Sequence, residues 1–258
     1  MSEPELPPPP WIKTRKRPTR RPPLSAESIV EAALGVLQRE GLDAVTMRRV
    51  AEELATGAAS LYVHVADKEE LHSLMLDRVM SQLELPQPDP DQWQAQLKEV
   101  ARELVRLMEA NMGIARVASA NPPFGPNALR VADWILGLLR AAGASDRVAA
   151  YGCDLLWLYC TSVALEVSAY AAMGFDPSDV ADRAMQMRQY FSSLPPDRFP
   201  NIVALADPMT AGGGDERLEF GLDLLVSGLA ATARARPATA RRQAGASPRQ
   251  THRTARHS

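Results

Sequence analysis

The sequence predicts an all-α fold, and three observations carry the prediction. Apolar residues recur at helical spacing in successive segments from Leu24 to Leu229. Ser, Thr and Asp mark helix starts, while Gly and Pro mark helix ends. Beyond Asp91 no stretch alternates apolar and polar residues as a half-buried strand would. These predict an N-terminal three-helix unit of helix-turn-helix type, followed by a helical C-terminal domain. With 258 residues, 46% of them hydrophobic, the chain has ample length for a core.

Taken in order, residues 1–23 are too rich in proline for a helix and read as an extended arm (Pro7 to Pro10, Pro18, Pro22, Pro23). Ser25 caps the first helix, with Leu24 and Ile29 at staple spacing and Glu27 in the first turn. Ile29, Ala33, Val36 and Leu37 form its inner face, and Gly41 ends it. Thr46 caps a short helix, Met47–Leu54, whose inward positions are Val50, Ala51 and Leu54. Ala55-Thr56-Gly57 is the turn, with Gly57 expected at positive φ. A second short helix spans Ala58–His64, anchored by Leu61 and Val65. Asp67 and Glu70 form a capping box for the next helix, which buries Leu71, Leu74, Met75 and Val79. Pro86, Pro88 and Pro90 then separate this unit from the remainder.

The remainder begins with an amphipathic helix from Trp93 through Met108, broken off at Asn121-Pro122-Pro123. A helix around Val131–Leu139 closes near Gly143. Residues 146–173 are the most apolar stretch, which predicts a helix that is buried or shared with another subunit. A more polar helix covers 178–193, a loop covers 195–214, and a last helix carries Leu218 to Leu229. No internal repeat is present.

Charge is distributed unevenly. The net charge of −2 combines six basic side chains in residues 1–23 and seven arginines in residues 232–258 with an acidic body. By subtraction, residues 24–231 hold 16 basic and 29 acidic groups. Basic ends on an acidic body read as disordered, solvated tails at 1–23 and 232–258 or as contacts to a polyanion. No run of about 18 uncharged apolar residues suggests a membrane span, and no leader-type segment follows the N-terminus. If Cys153 and Cys160 share a helix, seven residues put them roughly 10 Å apart, too far for a disulfide between them. A reduced, cytoplasmic protein is expected. There is no Gly-rich phosphate loop, no metal-ligand spacing and no nucleophile elbow, so neither an enzyme nor a cofactor is expected.

The two short helices at 46–54 and 58–64, joined by a three-residue turn, fit a helix-turn-helix. A helix that enters a major groove about 12 Å wide needs small or polar groups in its first turn. Ala58, Ala59 and Ser60 meet that need, while Leu61 anchors the far side. The stretch Leu42-Asp43-Ala44-Val45-Thr46-Met47-Arg48-Arg49-Val50-Ala51 closely matches the helix-two pattern of the TetR (tetracycline repressor) family. So do Ser60-Leu61-Tyr62-Val63-His64-Val65 and Asp67-Lys68-Glu69-Glu70-Leu71, which resemble its recognition helix and the start of the next. Residues 24–80 are therefore similar to that family's DNA-binding domain.

The resemblance implies a role for each matching position. Thr46 would hold a phosphate with its hydroxyl and the helix N-terminus. Arg48 would be the guanine contact. Arg49 would neutralise backbone or stay solvated. Ser60 would reach a phosphate or base edge, beside Ala58 and Ala59 on thymine methyls. Tyr62 and His64 would present polar tips to phosphates, with Lys68 on the same strand. Arg15, Lys16, Arg17, Arg20 and Arg21 would follow the minor groove.

The resemblance continues, more faintly, through 146–173, Pro196-Asp197-Arg198-Phe199-Pro200-Asn201 and Phe220-Gly221-Leu222-Asp223. It implies a ligand-binding and dimerisation domain over 91–231. The homodimer would form through helices near 146–170 and 216–231, on a double-stranded, near-palindromic operator. It also implies a repressor released by a small molecule. Met108, Met112, Trp134, Trp157, Glu166 and Tyr170 are the candidate ligand residues, with Glu166 in need of a partner. The family's histidine-rich magnesium–tetracycline site is not matched, since the four histidines are His64, His72, His252 and His257.

Overall fold

A computed structural model of the chain describes residues 23–120, 123–174 and 177–234. Among them are twelve α-helices and no strand. Helix α1 spans Ala26–Glu40 and starts where expected. The Ser25 hydroxyl accepts from Ser28 N–H at 3.2 Å, and the Ser25 N–H donates to the Ser28 hydroxyl at 3.0 Å. Gly41, at φ 83°, ends it and leads into a single 3-10 turn, Leu42–Ala44. Next come α2 (Met47–Glu53), α3 (Ala58–Leu61) and α4 (Lys68–Met80). Ile29, Leu37, Val50, Leu61, Val65, Leu71 and Met75 close a dry core between these four helices. A fully buried side chain of this size contributes about 1.5–3 kcal/mol, and that sum, rather than helix propensity, holds such short helices.

The turn before α3 corrects one expectation. Ala55, not Gly57, takes the positive φ (49°), while Gly57 sits at φ −85°, ψ 145° as an ordinary extended N-cap. Val50 and Ala51 on α2 and Leu61 on α3 are all buried, and the chain reverses where the α2 ladder ends. The Thr56 N–H returns to Ala51 O at 2.9 Å, and that reversal falls on Ala55. Helix α3 is also shorter than expected, since Tyr62 to His64 form a turn. The Asp67 carboxylate caps α4 by accepting from Glu70 N–H at 2.7 Å. Glu70 reaches back to the Ala66 N–H rather than to Asp67.

The remaining helices are α5 (Trp93–Ala110), α6 (Ile114–Ala120), α7 (Pro126–Ala141), α8 (Asp146–Ala172), α9 (Pro177–Ser193), α10 (Pro200–Ala204), α11 (Ala206–Thr210) and α12 (Gly214–Arg234). Two of these boundaries differ from the sequence expectation. The helix from Trp93 stops at Ala110, because Gly113 at φ 94° turns the chain into α6. The 195–214 stretch holds α10 and α11 rather than an open loop. Helix α8 is central: it packs on α5, α6, α7 and α12. By length and composition it is also the one described helix apolar enough to cross a membrane, although only 33% of that window is buried in the chain. Both cysteines are free, and Cys160 is fully buried on α8. Helix α9 packs on α10 and α11 and is exposed along most of its length.

Candidate nucleic-acid interface and C-terminal site

The helix-turn-helix brings most of the expected residues to solvent. Thr46 is the N-cap of α2, where its hydroxyl oxygen accepts from Arg49 N–H at 3.1 Å. Its O–H is left to donate outward. Arg48 is 88% exposed, and its nearest acidic neighbour is Glu52 at 3.8 Å, one helical turn on. Ala59, Ser60, Tyr62 and His64 are exposed on α3 and the turn after it. Lys68 is half-buried in the first turn of α4. Leu61 and Val65 are buried and fix the face that these residues present.

Two expectations are corrected. Arg49 is not a free cation. Its guanidinium donates to Glu40 at 2.6–3.1 Å and to Glu53 at 3.0 Å, and Arg39 also reaches Glu53 at 2.8 Å. The hydrogen bond to Glu40 is the main reason that Arg49 holds its proton even more tightly than a free arginine, and the same bond lowers the Glu40 carboxyl. Arg49 therefore ties α2 to the end of α1. Ala58 is half-buried against the core, so it shares the anchoring work with Leu61. Val63, not among the residues expected at the interface, is 79% exposed beside Tyr62. Its signal was present: an apolar residue between Leu61 and Val65, off the buried register. The arm residues Arg15, Lys16, Arg17, Arg20 and Arg21 lie outside the described residues.

The candidate ligand residues do not gather in one place. Met108 is fully buried in α5, whereas Met112 is exposed in the turn after it. Trp134, on α7, donates its indole N–H to Pro86 O at 2.7 Å. Trp157 and Tyr170 are both half-buried on α8. Thirteen residues of helix separate them by roughly 20 Å and by about 140° around the axis, too much for one compact ligand. Glu166 is exposed, and its partner is within the chain: Arg217 of α12 at 3.2 Å. Among the described residues no group of three or more His, Cys, Asp or Glu could hold a metal ion.

The pair α8 and α12 carries a different kind of surface. Tyr151, Leu155 and Leu158 on α8, and Phe220 and Leu224 on α12, are all about half exposed or more. Between the two helices runs an apolar groove of about 360 Å³, lined by Tyr151, Leu155, Leu156, Leu224 and Leu225 among others. The helices approach closely because Gly221 lets the Tyr159 hydroxyl in, to donate to Arg217 O at 3.0 Å.

An all-helical chain with an anchored, polar-faced helix-turn-helix and a separate apolar helix pair belongs to the class of bacterial DNA-binding regulators. Residues 29–73 match the family model for bacterial regulatory proteins of the tetR family, and residues 85–233 match the tetracyclin repressor-like C-terminal domain. The HTH-type transcriptional repressor DrrR1 of Streptomyces coeruleorubidus is 32% identical over 223 residues, covering 84% of this chain and 82% of its own. Apo ActR from Streptomyces coelicolor superposes with a TM-score of 0.74 at 43% identity, over 82% of this chain and 99% of that one. ActR in complex with actinorhodin gives 0.76 at 43% identity, over the same shares. The chain belongs to the TetR family. It is a DNA-binding transcriptional repressor and not an enzyme. Dimerisation is typical of this family.

Proposed function

We propose that this protein acts in the cytoplasm as a homodimer that represses transcription from a near-palindromic operator and leaves it when a polycyclic aromatic molecule binds. Residues 24–80 form the DNA-binding domain and 91–231 the ligand-binding and dimerisation domain, with basic ends at 1–23 and 232–258. The observation that carries the DNA reading is Arg48, 88% exposed and held only by a surface pair to Glu52 at 3.8 Å, together with the small, exposed residues Ala59 and Ser60 of α3. Arg48 reads a guanine edge, and Ala59 and Val63 meet thymine methyls. Thr46, Ser60, Tyr62, His64 and Lys68 hold phosphates and set the register. The arginines and lysine of the N-terminal arm follow the adjoining minor groove.

Two protomers join through α8 and α12, whose exposed apolar faces would complete a four-helix bundle. The partner fills the groove between α8 and α12, which places recognition helices roughly 34 Å apart on successive major grooves. The effector enters the helical core. Its class follows the actinorhodin seen in the similar ActR. The test is selection of DNA from a random-sequence pool, then fluorescence anisotropy in a salt series with and without actinorhodin. A selected palindrome released by the compound supports the reading. A selected palindrome that actinorhodin leaves bound rejects this effector class, and failure to select any DNA rejects the operator.

A further inference from the structure

Helix α4 is the last element of the DNA-binding unit, so its attitude sets the position of α2 and α3. Asp77 lies in its third turn, is 9% exposed, and points away from the helix-turn-helix toward α7. A buried carboxylate is costly unless hydrogen bonds satisfy it. Here three donors do so, all from the first turn of α7. Asn127 N–H and Ala128 N–H donate to Oδ1 at 2.8 and 3.1 Å, and the Asn127 side-chain amide donates to Oδ2 at 2.8 Å.

Helix α7 has no side-chain cap of its own: Gly125 is the N-cap, and Pro126 brings no N–H. Asp77 supplies the missing cap from a different helix, with its negative charge at the positive end of the α7 dipole. Gly125 is required there, because a Cβ would run into the Asp77 carboxylate. The capping is reciprocal. One turn further along α7, Arg130 donates to Met80 O at 3.4 Å, the last residue of α4, and to Leu83 O at 2.9 Å, just beyond it.

The second bridge to the DNA-binding unit is less directional. At the start of α6, Gly113 rests against Leu37 and Leu42, and Arg116 pairs with Asp43 at 3.0 Å on the surface. Apolar contacts can slide and exposed ion pairs contribute little. Helix α7 also packs on α8, the central helix of the C-terminal part.

We infer that the N-terminus of α7 is the coupling point between effector core and operator binding, with Asp77 as the positioning residue that carries displacement of α7 into α4. This rests on the regulator reading above. Asp77→Asn sets an amide donor against donors, and Asn127→Asp sets carboxylate against carboxylate. The double exchange restores complementarity, because Asn at 77 accepts from the backbone and donates to Asp at 127.

DNA selected by the wild-type dimer is bound by each variant well below its Tm, and backbone hydrogen exchange is followed over 123–130. Each single exchange should weaken binding by roughly fivefold or more, and the double exchange should return it to within about twofold of wild type. Exchange over 123–130 should rise and recover in the same order. Arg130→Ala, an exposed site that threatens folding least, should weaken binding in the same direction. Variants that lose Tm yet bind DNA like wild type would reduce Asp77 to a structural cap and overturn the inference. A double exchange that restores protection at 123–130 without restoring DNA binding overturns it equally. If the wild type selects no DNA, the regulator reading fails and the inference falls with it.

Discussion

Helices α1–α4 and the pair α8 and α12 each leave one face uncovered, and the two faces differ in kind. The first presents Arg48, Ser60, Tyr62 and His64 around a closed core. The second presents Tyr151, Leu155, Leu158, Phe220 and Leu224 around an open groove. A polar face over a finished core is stable in water and waits for a charged partner. An apolar face is unfinished: each Å² left in water forgoes about 25 cal/mol of burial. One region is therefore complete within a single chain, and the other leaves apolar surface that the proposed dimer would bury.

The largest effect should come from breaking the second region. Leu158→Glu combined with Leu224→Glu places charges where the bundle must be dry. Light scattering after size exclusion should find a monomer, and affinity for selected DNA should fall on the order of a hundredfold or more, because one recognition helix is left to bind alone. A dimer that survives both charges would place the interface elsewhere.

The first region can be tested by two neighbouring arginines. Arg48→Ala should cost on the order of tenfold in affinity for selected DNA with little change in Tm, since it removes a base contact and no packing. Arg49→Ala should do the reverse. It unties Glu40 and Glu53, so Tm should fall, while discrimination between selected and random DNA is kept. Identical behaviour of the two variants would mean that Arg48 and Arg49 play the same role.

A smaller effect is expected in the turn. Ala55→Gly relieves a left-handed alanine, offset in part by a freer unfolded chain, and should raise stability by up to about 1 kcal/mol. Gly57→Ala should be neutral or better in thermal unfolding, because its φ is ordinary and a Cβ there meets open space. A clear loss for Gly57→Ala would restore the left-handed glycine that the sequence suggested.

The smallest effect concerns a buried ring nitrogen within the first region. His72, on α4, has its Nε2 buried without a hydrogen-bond partner. Burial, then the nearby Lys68, lowers its pKa below the ordinary 6.5, with Glu69 opposing and Arg116 adding slightly. The unfolded chain therefore takes up this proton first, and stability should decline as pH falls below about 6.5. His72→Gln should flatten that part of a Tm-against-pH curve. An unchanged curve would mean that His72 stays neutral or finds a partner in solution.

The N-terminal helices were almost fully legible in the sequence. Ser25, Thr46 and Asp67 mark their starts, and the buried register from Ile29 to Met75 follows the helical period, because capping and amphipathic periodicity are local properties. The break at Gly113 was less visible: one glycine in an otherwise helical run can be tolerated or can end the helix, and its packing on Leu37 and Leu42 decided the matter. The ligand set was not legible. Met108, Trp157 and Tyr170 look alike in a sequence, and only the angle at which α8 lies against its neighbours separates core from edge.

The sequence alone determined the all-helical class, the helix-turn-helix, its polar residues and the family, because those rest on short-range patterns. The tertiary structure decided that Arg49 is an internal tie, that Ala55 rather than Gly57 makes the turn, and that Glu166 already has Arg217. It also decided that Asp77 caps a helix 50 residues away. Each of these depends on which side chains meet across distant segments, and pairing of that kind is set by packing rather than by any local pattern.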